Sequence, residues 1–74
     1  MKKDDYFYYK VDVKGRNGYS FMVRSTDELS DDDVLSRANT AECFEDEDDI
    51  DRASVDRQID DSDINAFDDC TTTV

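Results

Sequence analysis

Residues Tyr6–Val13 alternate in polarity. Phe7, Tyr9, Val11 and Val13 fall on one side, Tyr6, Tyr8, Lys10 and Asp12 on the other, which is the two-residue period of a half-buried strand. Tyr19–Ser25 repeats the pattern, with Tyr19, Phe21 and Val23 on the apolar side. Between them, Gly15-Arg16-Asn17-Gly18 signals a hairpin. Matching the faces selects its loop. A two-residue Asn17-Gly18 turn opposes Val13 to Met22 and mixes the sides. A three-residue Arg16-Asn17-Gly18 loop pairs Val13 with Phe21 and Val11 with Val23, with Gly18 supplying a left-handed residue. The sequence therefore predicts the three-residue loop.

A helix start follows. Ser30 is a good N-cap, Asp33 stands where a capping box places Glu or Gln, and Leu29 with Val34 fits a hydrophobic staple. Asp31, Asp32 and Asp33 fill the first turn, where the helix dipole favours negative charge. Val34, Leu35, Ala38, Ala41 and Phe44 form an apolar stripe suited to covering the hairpin. Glu45–Asp51 then breaks the pattern with six acids in seven residues. Ala53–Ile59 reads as a third strand with Val55 and Ile59 on one side. Asp61 or Ser62 caps a short final helix carrying Ile64 and Phe67, and residues 71–74 read as a frayed tail. The expectation is one α+β domain over residues 1–70. Its order is ββαβ with a short C-terminal helix, and one helix covers one face of a small antiparallel sheet.

Composition narrows the function classes. Leu, Ile, Val and Phe total 15 of 74 residues, a thin core for a chain that buries only ~60% of its unfolded surface. A deep substrate pocket is not expected. The net charge is −12, divided into +3 over residues 1–24 and −15 over residues 25–74. Such a field repels nucleic acid and anionic membrane and attracts basic proteins. The longest apolar or aromatic run is Tyr6–Tyr9 and the N-terminus lacks an apolar leader, so neither a membrane span nor a signal peptide is expected. Cys43 and Cys70 have no CxxC spacing and read as free thiols in a cytoplasmic protein.

No histidine is present, which removes the common triads, imidazole ligation and the usual proton shuttle. With 21 acids in the chain, neighbouring carboxylates carry no catalytic information. Asp61-Ser62-Asp63-Ile64-Asn65 opens like a calcium loop. However, Ala66 stands where Gly is needed and Thr72 where a bidentate Glu belongs. No enzyme activity, cofactor or metal is expected.

The candidate contact residues are the acids Asp31, Asp32, Asp33, Glu45, Asp46, Glu47, Asp48, Asp49 and Asp51, and a second set of Tyr6, Tyr8 and Met22. By alternation this second set lies on the sheet face away from the helix. It is covered there by the final helix, by a second copy in a homodimer, or by a foreign partner. In size, charge and order of elements the chain resembles the small acidic inhibitors of phages and mobile elements, namely anti-CRISPR and anti-restriction proteins of the DNA-mimic type. The resemblance is compositional and transfers no residue role. It implies a non-catalytic inhibitor, in the host cytoplasm, that occupies the basic nucleic-acid groove of a CRISPR effector, nuclease or restriction enzyme. The alternatives are an immunity protein or antitoxin against a basic nuclease, and a self-associating phage structural or assembly protein.

Overall fold

A computed structural model describes residues 2–16 and 18–74. The strands are β1 (Lys2–Lys3), β2 (Tyr6–Val13), β3 (Tyr19–Ser25), β4 (Ala53–Asp56) and β5 (Thr72–Thr73). The helices are α1 (Asp31–Thr40) and α2 (Asp61–Ala66), with 3-10 turns at Glu47–Arg52 and Asp68–Cys70. The protein is α+β, with a mixed sheet four ribbons wide. β2 is central. It pairs with β3 along one side, while β1 and β4 share its other side; β5 runs parallel to β3.

The hairpin keeps the faces that alternation assigns but not the register. Val13 opposes Tyr19 and Val11 opposes Phe21, one pair short of the expected match. A slide of two leaves every side chain on its own face, which is why the period cannot detect it. Asn17 lies outside the described residues. The positive φ expected of Gly18 belongs to Gly15, at 140°. Gly18 is needed for room instead: a Cβ there would lie 2.9 Å from the Val13 carbonyl oxygen.

A second, unforeseen hairpin precedes the first. Lys3 opposes Tyr6, and the two residues between them, Asp4 and Asp5, have φ of 54° and 70°. Two positive φ values in a two-residue loop mark the type I′ turn, whose twist matches the strands. The usual Asn-Gly or Asp-Gly signal is absent, and Asp tolerates the left-handed region through its short polar side chain.

α1 begins as expected. The Asp33 N–H donates to Ser30 Oγ at 3.2 Å, and Leu29 and Val34 are both buried. Its C-terminus closes in a Schellman motif: Cys43 N–H donates to the Ala38 carbonyl at 3.0 Å and Glu42 N–H to that of Asn39 at 3.1 Å. Glu42 takes the left-handed position, φ 60°, where glycine is usual. The helix thus ends before Phe44, which turns back onto the sheet and meets the Phe21 ring edge-on at 5.2 Å.

Two thin cores flank the sheet. On one face Tyr9, Val11 and Val23 pack with Leu29, Val34 and Ala38. On the other, Tyr8 and Met22 pack with Ile59 and Ile64, bordered by Tyr6 and Phe67. β4 therefore stops at Asp56, and the expected alignment of Val55 with Ile59 fails: Val55 serves the first core and Ile59 the second. α2 is capped one residue earlier than expected, by Asp60 in a reciprocal box with Asp63 at 3.0 and 3.2 Å. Nor is the tail frayed. Val74 N–H donates to the Arg24 carbonyl at 2.8 Å, and Arg24 Nε donates to Thr73 Oγ1 at 2.8 Å.

Candidate acidic docking surface

The two candidate sets part company in the structure. Tyr8 and Met22 are 5% and 0% exposed and pack with Ile59 and Ile64, so of the three covers expected for this face it is the chain's own final helix that supplies it. Tyr6, half-buried, has the Arg24 guanidinium 4.4 Å above its ring. Lys10 Nζ lies 5.8 Å from the Phe67 ring, and Lys3 pairs with Asp61 at 3.4 Å. Arg24, Lys10 and Lys3 are thus engaged within the fold, by Tyr6, Phe67 and Asp61 in turn.

The acidic set divides between the ends of α1, a span of ten residues or ~15 Å. Asp31, Asp32 and Asp33 are exposed at its start. Asp31 is engaged there by Arg57, whose Nε donates to Oδ1 at 2.9 Å. The same guanidinium donates to the Leu29 carbonyl and sits 5.0 Å over the Tyr9 ring. That arrangement ties the chain after β4 to the start of α1, so Asp31 is partly neutralised within the fold.

At the other end of α1, Asn39, Glu42, Phe44, Glu45, Asp46, Glu47 and Asp48 line an open cleft of about 660 Å³. Five of its seven lining residues are acids, all exposed. The last turn of α1 opens onto it, adding the negative end of the helix dipole. Glu42 was not foreseen; the only sequence signal for it is an acid just past the helix end, where glycine is expected.

Two members of the acidic run do not belong to this surface equally. Asp49 is 4% exposed and its carboxylate is spent inside the fold. It accepts from the Tyr19 hydroxyl at 2.7 Å and from the Asp46 N–H at 3.3 Å, and it is ion-paired with Arg52. The Tyr19 hydrogen bond, chiefly, and then Arg52 and Asp46 hold its carboxyl below the usual range, against an opposing push from burial. Burial first, and the same carboxylate second, push the Tyr19 phenol up, although the Glu45 N–H it accepts at 2.9 Å pulls the other way. Asp49 is therefore an anchor for the acidic segment, not a contact. Asp51 is exposed; three residues beyond Asp48 on a 3-10 turn it eclipses that side chain, ~6 Å further along the axis.

Among the described residues no group of three or more carboxylates or thiols converges in a metal-holding arrangement, and no helix is long and apolar enough to cross a membrane. Cys43 is half-buried in the first core and Cys70 is exposed, both as free thiols. The chain matches no protein-family model, and no match was found among curated proteins or solved structures.

Proposed function

We propose that the protein is a non-catalytic inhibitor that occupies the basic nucleic-acid-binding surface of a CRISPR effector, nuclease or restriction enzyme, with carboxylates in place of phosphates. The observation carrying this reading is the cleft at the C-terminal end of α1. It gathers Glu42, Glu45, Asp46, Glu47 and Asp48 where the helix dipole is itself negative, so each charge costs stability. Glu42 adds a left-handed backbone that glycine would adopt without strain. A fold holding five acids against their own repulsion gains when a partner's Arg and Lys side chains neutralise them in charge-assisted hydrogen bonds.

The test is competition. A basic nuclease or effector retained on the immobilised protein at low salt is eluted and assayed for DNA binding with the inhibitor added back. The expected result is stoichiometric displacement of DNA, weakening by at least an order of magnitude between about 50 and 200 mM salt, and lost in the triple variant Glu45→Gln, Glu47→Gln, Asp48→Asn. Retention unchanged by salt, or by that variant, overturns the proposal.

A further inference from the structure

β5 covers only part of the outer edge of β3, pairing with Val23 and Arg24 alone. The Val74 N–H bonded to the Arg24 carbonyl shows which residues of β3 turn their backbone groups outward. Along a strand these alternate, so Ser20, with the parity of Arg24, turns its N–H and C=O away from β2. Ser20 is exposed, and among the described residues no backbone partner meets it on that side.

Proteins keep such edges unpaired with charges, prolines or bulges. The part not paired with β5 carries none of these: Tyr19-Ser20-Phe21-Met22 is uncharged in a chain that is 41% charged. Its register with β2 also runs unbroken from Tyr19 to Ser25.

The surroundings of the edge state what would fit it. On one face, Ser20 Oγ donates to the Asp12 carboxylate at 2.5 Å. On the other stand Phe44, against the Phe21 ring, and Glu45, whose N–H meets the Tyr19 hydroxyl. Both of those residues line the acidic cleft. A strand laid along β3 would direct alternate side chains to the two faces and meet carboxylates on each. A second copy would set two chains of charge −12 together.

We propose that the edge of β3 around Ser20 receives an extended, lysine- or arginine-bearing segment of the partner protein as an added strand. Main-chain bonds would supply affinity and the flanking acids would supply selectivity. The inference rests on the charge-mimic reading above and adds a docking mode to it.

The experiment titrates the isotope-labelled protein with a short peptide alternating lysine with threonine, and with the same peptide N-methylated at alternate backbone positions. The second keeps the charge and blocks strand addition. The first peptide is expected to slow hydrogen exchange at the Ser20 amide and to bind at least about tenfold tighter than the second. Ser20→Pro, which removes an outward N–H as edge strands tolerate, is expected to abolish that difference. Equal, salt-sensitive binding of both peptides overturns the strand addition and leaves the charge-mimic reading standing. No salt-sensitive binding by either peptide sinks both. Protection of Ser20 that grows with protein concentration and needs no peptide assigns the edge to a second copy and overturns the basic occupant. Should the proline variant not fold, the two peptides alone decide.

Discussion

The Tyr19 hydroxyl donates a 2.7 Å hydrogen bond to the carboxylate of Asp49, thirty residues away. The same hydroxyl accepts the Glu45 N–H, so one phenol fixes both ends of the segment that carries the acidic cleft. Tyr19→Phe removes both bonds while preserving ring packing against Phe21. It leaves a carboxylate that is only 4% exposed without its closest neutral donor. The expected outcome is a drop in Tm of roughly 4–8 °C, with amide exchange rising most at residues 45–49.

Acid should act through the same pair. The Asp49 carboxyl is held below its usual range, so its contribution to stability is complete above the unfolded value of ~3.9 and is lost as pH falls through the lower folded value. The Tyr19 phenol is raised. Its contribution is complete below ~10 and is lost as pH rises through the higher folded value. Urea midpoints should therefore fall once pH drops below ~3.9 and Asp49 loses its charge. Asp49→Asn is expected to flatten the final descent; an unchanged acid limb in that variant would remove Asp49 from this role.

Glu42 offers a separation of stability from binding. Glu42→Gly is expected to stabilise the protein by about 1 kcal/mol, because glycine adopts the left-handed C-terminal cap without a Cβ penalty. It should also weaken partner affinity. Asp5→Gly relieves a similar conformation in the β1–β2 turn, at φ 70° and outside the acidic cleft. Its affinity should be unchanged. Melting curves and titrations on the two variants check both halves; equal affinities throughout would take Glu42 out of the surface.

Met22 is fully buried in the second core. Met22→Ala is expected to cost about 2–5 kcal/mol, out of the roughly 4–11 kcal/mol typical for a chain of this length. Expression as a partly unfolded protein at 37 °C, with enhanced exchange throughout α2, is the expected readout. A variant melting like the parent would mean that α2 does not cover this face.

The strands that bury alternate residues could be read from the sequence because a period of two is a physical consequence of the pleat. Tyr6–Val13 and Tyr19–Ser25 have the bounds expected of them, and Ser30 caps α1 through a local hydrogen bond that depends on nothing distant. What escaped depends on partners far along the chain. Asp49 looks like every other acid in its run until Tyr19 and Arg52 surround it. β1 and β5 are two residues each, too short for any period, and are strands only because β2 and β3 offer them edges. Of the candidate site, the acids at residues 45–48 are brought together as a surface. Tyr8 and Met22 pack under the final helix, one of three covers that alternation alone left open.

Tyr8 and Tyr9 adjoin in the chain yet belong to different layers, as do Met22 and Val23. A single inserted or deleted residue in the middle of β2 or β3 would exchange the occupants of both layers at once, leaving neither helix its matching surface. Variation in length is thus confined to the connections, and the central ribbon behaves as a ruler whose divisions cannot be altered.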